Sequence, residues 1–518
     1  QPLISVLMPT YNTPAEWLQE AIDSVRAQLY ENWELCIADD ASTDPAVRDV
    51  LERAAKQDER IKVTYREENG HISAASNSAL ELCTGEWVAL MDHDDLLAEH
   101  ALYCVAETIN HHPNAQLIYS DEDKVSEHGY RFEPDFKCEF NRDLFYSHNM
   151  ICHLGTYRRD IVQQIGGFRV GLEGAQDYDL ALRYIEQIQP EQVVHIPRVL
   201  YHWRVHSEST SSGTEVKPYA ESAGARAIGQ HLKRLGIEAT VEGSKDGFHV
   251  RYPLPDPEPL VTLIIPTRNG LDLLKTCIDS IEQKTTYSNY EILVVDNGSD
   301  DPAILDYFRS IEKQEHIRVL RDDRPFNFGA LNNAAVEAAN GEYVALVNND
   351  IEVIAPEWLS ELVGLASRHD AGVVGAKLLY TDGTIQHAGV ILGVGGVAGH
   401  AFKHFSGDTP GYFNRAILAS SFSASTAACL LINKFKYRQA GGFDEENLAI
   451  AFNDVDFCLR VREAGYRNCW TPHALLYHHE SATRGYEDTE EKKARFASEV
   501  RYMQKRWGDQ LLNDPAYS

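Results

Sequence analysis

Thr84-Gly85-Glu86-Trp87-Val88-Ala89-Leu90-Met91-Asp92-His93-Asp94-Asp95 is a turn, a short apolar strand and a cluster of carboxylates where that strand ends. The phrase returns 256 residues later as Asn340-Gly341-Glu342-Tyr343-Val344-Ala345-Leu346-Val347-Asn348-Asn349-Asp350. A buried strand that carries carboxylates to the carboxyl edge of an α/β sheet is a natural place to hold a metal-bound phosphate. Two copies imply two such places.

Upstream of the first copy, strands and helices alternate at short intervals. Apolar runs at Leu3–Leu7, Glu34–Ala38 and Ile61–Tyr65 read as strands. Glu16–Gln28, Pro45–Lys56 and Ser73–Cys83 carry helical spacing. Such alternation predicts right-handed crossovers and a mainly parallel sheet. Downstream come a helix near His100–Asn110, a strand at Gln116–Ser120, a Gly166-Gly167-Phe168 turn, a helix opening at Gln176-Asp177 and a strand at Leu200–His206. Tyr219–Leu235 is one amphipathic helix, and Pro253, Pro255, Pro257 and Pro259 make a stiff linker.

From Leu260 the chain restates itself. Thr262–Asn269 answers Ser5–Asn12, Val294–Ser299 answers Ile37–Ser42, Asn333 answers Asn77, Gly441–Phe443 answers Gly166–Phe168, and Asp454–Arg460 answers Asp177–Arg183. The offset is 256 to 257 up to the carboxylate cluster and 275 to 277 beyond it, which places an insertion of about twenty residues, assigned to Gly389–Gly411. A period this long is a duplicated domain, because solenoid repeats run ~20–50 residues. The expected boundaries are 1–215 and 260–518, with 216–259 as a linker containing a helix.

Bulk properties narrow the function. A chain of 518 residues needs more than one core, and a net charge of −30 disfavours a nucleic-acid groove, which demands surplus Lys and Arg. No apolar run approaches the ~20 residues of a membrane span. Gln1–Leu7 reads as an immediate strand and not a signal peptide, and the absent Met suggests a trimmed sequence. Nine scattered cysteines without a C-x-x-C pair suggest reduced core thiols and a cytoplasmic protein.

Four elements recur in each half: a P-T-x-N loop, a D-D or D-N strand end, the carboxylate cluster and a later Asp-x-Asp helix start. Together, in this order, they resemble family 2 glycosyltransferases of the GT-A fold, and the chain is similar to bacterial tandem-domain members that build surface polysaccharides. The resemblance implies an α/β fold of two tandem Rossmann-like domains and a bifunctional, inverting, metal-dependent glycosyl transfer. Its donor would be a nucleotide-sugar (UDP- or dTDP-linked), its cofactor Mn²⁺ or Mg²⁺, and its acceptor a glycan or lipid-linked glycan, without nucleic acid. The protein would then work in the cytoplasm or at the inner face of the membrane, through peripheral association.

The same resemblance assigns residues. Asp92-His93-Asp94 matches the family's D-x-D, with Asp94 on the metal and Asp92 nearer the ribose. Asn348-Asn349-Asp350 keeps only the last carboxylate, so Asp350 is the metal ligand and Asn348 the ribose contact. Pro9, Tyr11, Asp39 and Asp40 would line the nucleoside pocket, with counterparts Pro266, Arg268, Asp296 and Asn297. Asp177 and Asp454 match the general base that deprotonates the acceptor hydroxyl. A carboxylate at a helix start is by itself more often an N-cap, and it is the repetition that favours catalysis.

A histidine should complete each metal site. One alignment pairs His202 with His478 and another pairs His206 with His478; the family's H-x-x-S pattern favours His206 and His478. Ser209–Gly213 and Ser481–Gly485 then read as lids, with Arg484 as a phosphate contact. Three other readings stand beside this one. One domain could be catalytic and the other merely bind glycan or nucleotide; the chain could be a nucleotide-sugar sensor; or it could be a nucleotidyltransferase, which would need a Gly-rich basic phosphate loop that Pro9–Thr13 lacks.

Overall fold

The computed structural model describes residues 1–206, 218–479 and 489–517. The two expected lids and Arg484 lie outside the described residues. The chain divides into two compact units, Gln1–Asn141 with Phe145–Val250, and Arg251–Tyr517 with Arg142–Leu144.

The first unit is built on one sheet. Its strands are β1 (Ile4–Thr10), β2 (Trp33–Asp39), β3 (Ile61–Tyr65), β4 (Trp87–Leu90), β5 (Leu96–Leu97), β6 (Leu117–Ser126), β7 (Arg131–Asp135), β8 (Thr156–Arg158) and β9 (Val193–Val205). They lie in the order β3-β2-β1-β4-β8-β6-β9-β5, with β7 beside β6. Strands β1 to β4 run parallel, and β8 enters antiparallel to β4. The helices cover both faces, so β1 and β2 are buried along their whole length and read as apolar runs instead of alternating ones. Because β1 sits between β2 and β4, the chain leaves it in opposite directions on its two sides. The carboxyl edge there is the switch point where α/β sheets take ligands.

Beyond the helix Pro218–Arg234 lies a hairpin, β10 (Thr240–Ser244) and β11 (Gly247–Arg251). Sequence placed this stretch in a linker; the structure groups it with the first unit through Val250. Ala227, Ile228 and Leu232 on the helix are fully buried, and His231 reaches both Glu186 (2.7 Å) and Tyr146 (3.0 Å). A helix with one apolar face must bury it, and a spacer could not.

The second unit repeats the plan with β12 (Val261–Thr267), β13 (Tyr290–Asp296), β14 (Ile317–Arg321), β15 (Tyr343–Val347), β16 (Ile351–Val353), β17 (Ala371–Leu379), β18 (Ile385–His387), β19 (Val390–Leu392), β20 (Ala398–His400), β21 (Ser420–Ser421), β22 (Cys429–Asn433) and β23 (Arg467–His478). Its order, β14-β13-β12-β15-β22-β17-β23-β16, is that of the first unit strand for strand. The extra residues fall between β17 and β22, where sequence placed the insertion.

A buried carboxylate fixes the turn that precedes each carboxylate strand. Glu34 accepts hydrogen bonds from Ser5 Oγ (2.6 Å), Thr84 N (2.5 Å) and Gly85 N (3.1 Å), and is paired with Lys62. Glu291 does the same with Thr262 Oγ1, Asn340 N and Arg318. A Cβ on Gly85 would lie 2.6 Å from the Leu3 carbonyl, and on Gly341 2.6 Å from Thr262 N, so only glycine lets these turns close onto β1 and β12.

Candidate active site

Each site is assembled from four loops at the carboxyl edge. The P-T-x-N loops are held by their asparagines: Asn12 Oδ1 accepts from Thr43 N (2.8 Å) and Asp44 N (3.2 Å), and Asn269 Oδ1 accepts from Asp300 N and Asp301 N (both 3.2 Å). Both asparagines sit in the left-handed region, which asparagine tolerates. Pro9 lies at the end of β1 with its carbonyl 3.1 Å from His93 Nδ1, while Tyr11 and Arg268 are exposed in the loops and Pro266 is half-buried.

At the ends of β2 and β13 the two units differ. Asp40 is buried, accepting from Arg66 Nε (2.7 Å) and Gly70 N (3.0 Å), and Asp39 accepts from Ser42 N. In the second unit the arginine partner moves to the other carboxylate: Arg321 pairs with Asp296 at 2.5 Å. Asn297 Nδ2 donates instead to the Asp322 (2.9 Å) and Arg324 (2.8 Å) carbonyls.

The metal candidates meet across the sheet edge. His206 Nε2 lies 3.0 Å from Asp94 Oδ2, and His478 Nε2 lies 3.2 Å from Asp350 Oδ1 and 3.3 Å from Asn348 Nδ2. His202, the competing assignment, is buried and bound to Asp123 Oδ1 at 2.6 Å. Register explains why neither alignment was decisive. Leu97 pairs with Tyr201 and Val353 with Leu476, so the sheet position of His478 is held in the first unit by Trp203. His206 reaches the carboxylate from three residues further on. A carboxylate oxygen and an imidazole nitrogen are both donors to divalent cations, so both pairs fit such an ion.

A second acidic group in the first unit was not read from sequence as functional. Asp95 is fully buried, accepting from Tyr201 Oη (2.6 Å) and Arg204 N (2.7 Å), and Tyr201 Oη accepts in turn from Asp92 N (3.1 Å). Ligand atoms of Asp92, Asp95 and His153 lie within 4.8 Å of one another. His153 stacks on Tyr201 at 4.3 Å, and its Nδ1 is 2.7 Å from Glu122 Oε2. Its Nε2 is 2.8 Å from Cys152 Sγ and 3.9 Å from Asp92 Oδ2.

Burial opposes a charge on His153, but Glu122 and Asp92 outweigh it and raise its pKa to about 9. Burial likewise opposes ionised Glu122, and Lys137 and His153 overcome it, holding that carboxyl at about 2. Asp92 is raised by desolvation and by the charges of Asp94 and Asp177, against the pull of His153 and His93. The second unit has Ile351 for Asp95 and, from the β4–β8 and β15–β22 pairings, Ala428 for His153 and Ala427 for Cys152.

The candidate bases open their helices with half-buried carboxylates. Asp177 Oδ2 accepts from Asn149 Nδ2 (2.8 Å) and lies within electrostatic reach of Asp92 and Cys152. Asp454 Oδ2 accepts from Ala427 N (3.1 Å), and the adjacent Ala428 carbonyl accepts from Asn348 N (2.9 Å). Thus Asp177 shares a cluster with the D-x-D motif, and Asp454 lies one residue along from the contact to Asn348. The second aspartate of each Asp-x-Asp does other work. Asp179 is fully buried between Arg169 and Arg183, and Asp456 is fully buried against Arg460 and Trp507 Nε1. Asn77 and Asn333 tie the glycine turns in place, each bonding both polar backbone atoms of Phe168 or Phe443.

Comparison with known proteins follows the same division. The sequence model of Glycosyl transferase family 2 matches residues 5–166 and again residues 262–421. The chain is 52% identical over 521 residues to protein y4gI of Sinorhizobium fredii, covering all of this chain and 57% of that protein. It is 37% identical over 488 residues to the O-antigen biosynthesis protein RfbC of Myxococcus xanthus, covering 93% of this chain and 38% of that one. It therefore spans between about two fifths and three fifths of the length of these relatives. Among solved structures, the mannosyltransferase PcManGT of Pyrobaculum calidifontis, in complex with GDP-Man and Mn²⁺, aligns with a TM-score of 0.35 at 19% identity over 48% of this chain and 66% of that one. With one match in each structural unit and more than half of its residues covered, the chain belongs to Glycosyl transferase family 2.

Proposed function

We propose that the protein is a bifunctional, inverting, metal-dependent glycosyltransferase that moves sugars from nucleotide-sugar donors to a growing surface glycan. One observation carries the reading: each unit places a carboxylate–histidine pair and a half-buried aspartate at the same sheet edge, Asp94–His206 with Asp177 and Asp350–His478 with Asp454. Similarity to an O-antigen biosynthesis protein supports a surface polysaccharide as product. No helix among the described residues is long and apolar enough to cross a membrane. Peripheral association at the inner membrane face is the proposed route to a lipid-linked acceptor.

In this reading Asp94 with His206, and Asp350 with His478, hold Mn²⁺ or Mg²⁺, which when bound supplies Lewis-acid stabilisation of the departing diphosphate. Asp92 and Asn348 contact the ribose. Pro9, Tyr11, Asp39 and Asp40, and Pro266, Arg268, Asp296 and Asn297, shape the nucleoside pockets. Because Asp40 and Asp296 are each tied to an arginine, Asp39 is the freer acceptor for a base N–H in the first unit. Asp177 and Asp454 take the proton of the acceptor hydroxyl as it attacks the anomeric carbon, so the sugar inverts in a single displacement. UDP- and dTDP-sugars are the proposed donors.

A second reading, with catalysis in the first unit alone, draws on Asn348, Ile351 and Ala428, which strip the second site of charges the first retains. Donor hydrolysis separates the two. With both sites active, Asp177→Asn and Asp454→Asn each remove part of the turnover and the double variant removes it all. Complete loss in Asp177→Asn alone supports the single-site reading, and full turnover in the double variant refutes the base assignment. A thermal-shift screen of UDP- and dTDP-sugars, with and without Mn²⁺, identifies the donor by mass-action stabilisation.

A further inference from the structure

Between β17 and β22 the second unit carries the insertion that the first lacks, and its two sides differ in character. The inner side abuts the proposed base. His387 at the end of β18 is fully buried, with Nε2 3.0 Å from Ser425 Oγ and its ring edge-on to His400 at 4.9 Å, and it lies within electrostatic reach of His478. Val390 at the start of β19 bridges to Ala424, three residues before the Ala427 amide that donates to Asp454.

The outer side displays rings. Phe405 is 57% exposed, Tyr380 stacks on His404 at 5.2 Å with the planes 8° apart, and Lys403 lies 5.9 Å above the Tyr380 ring. Phe402 meets Phe405 edge-on and packs at Gly411, beside the Tyr412–Phe413 pair. Three of these positions, Phe402, His404 and Phe413, hold φ between +46° and +68°, a region that bulky side chains disfavour. The loop is pinned from below by buried Lys377, whose Nζ donates to the Gly407 (2.9 Å) and Ala416 (3.1 Å) carbonyls. The rings are therefore presented on a fixed backbone.

We propose that this aromatic face is an acceptor-glycan subsite of the second unit, on which pyranose rings stack by their C–H faces. The proposal rests on the glycosyl-transfer reading above and deepens it. Rings interleaved with Lys403, His404, Asp382 and Asp408 match a ligand that is apolar on its faces and hydroxylated at its rim. A membrane surface would instead call for contiguous apolar groups ringed by cations, and Asp382 and Asp408 oppose that. Position also argues for a glycan, because Leu379 pairs with Tyr477, so Tyr380 rises from the same sheet edge as His478.

The test uses the full chain. Retention is measured on a printed array of bacterial-type oligosaccharides of two to ten sugars for the wild type, the Tyr380→Ser/Phe405→Ser variant and Phe405→Trp. Binding to phosphatidylglycerol vesicles is measured alongside. Donor hydrolysis without acceptor, in an Asp177→Asn background, reports separately on the second donor site, and a circular-dichroism melt reports on folding. The expected result is retention of at least one oligosaccharide class, weakened about tenfold or more by the double serine variant and kept by Phe405→Trp, with hydrolysis and melting unchanged. No retention by the wild type, equal retention by the serine variant, or loss of vesicle binding in its place would overturn the subsite. Absence of donor turnover in the wild type would instead strike the glycosyl-transfer reading, whatever the array shows.

Discussion

Two aspartates separated by a single residue, Asp177 and Asp179, sit in opposite circumstances. Asp177 is half-buried with one amide partner, whereas Asp179 is enclosed by two guanidinium groups. Asp177→Asn should lower transfer by the first unit by about 10²–10⁴-fold, the range for removing a general base, with little change in melting temperature. Asp179→Asn should do the reverse, costing about 3–5 kcal/mol by leaving buried arginine charge unmatched; urea unfolding beside a turnover assay distinguishes the two. The histidines make a parallel pair. His206→Ala should raise the Mn²⁺ concentration needed for half-maximal turnover by about 10–100-fold. His202→Ala, which breaks only the buried contact to Asp123, should leave that requirement alone and cost about 1–3 kcal/mol of stability. At this scale repetition made the sequence legible: Asp94 and Asp177 stood out because each has a counterpart in the other half, Asp350 and Asp454. His153, Glu122 and Asp95 did not, because the second unit has Ala428, Leu378 and Ile351 around those positions, and a feature present in one copy leaves no internal signal.

Among the elements, the turn before each carboxylate strand is the most exacting. Gly85→Ala or Gly341→Ala forces a Cβ to 2.6 Å from backbone atoms, so each should cost about 1–3 kcal/mol, measurable as a lower urea midpoint. Glu34 ties the same turn to β1 and β2. Burial opposes its ionisation, but Lys62, Ser5 and Thr84 hold its carboxyl at about 2, below the unfolded value. A depressed folded pKa gives stability that is complete above the unfolded pKa and lost as pH falls through the folded one. Wild type should therefore exceed Glu34→Gln by on the order of 2–3 kcal/mol at pH 7, and the gap should shrink between about pH 5 and pH 2. Equal pH profiles for the two proteins would remove Glu34 from this role. The parallel strands and their helices were readable because apolar run length and helical period survive any tertiary context. The far ends were less so: β6 continues through Asp121-Glu122-Asp123 to Ser126, since those carboxylates are buried against His195, His153 and His202, and a polar triplet reads as a loop until its partners are known. The helix Pro218–Arg234 was recognised as amphipathic, but sequence alone did not say which surface its apolar face covers.

For the molecule as a whole, duplication is the governing fact. Two units share one strand order, one clamp at the turn and one layout of carboxylate, histidine and helix-start aspartate, while differing in charge around Asp92 and Asn348 and in the insertion beyond β17. In the proposed reading the shared parts carry the same chemistry twice, and the differing parts are where two sugars or two acceptors are told apart. Equilibrium binding to the full chain, with Mn²⁺ and the UDP- or dTDP-sugars that stabilise it most, tests this directly. Two donor molecules should bind per chain, one lost in Asp94→Ala, the other lost in Asp350→Ala, and none bound by the double variant. A single molecule per chain, or two that survive both substitutions, would contradict it.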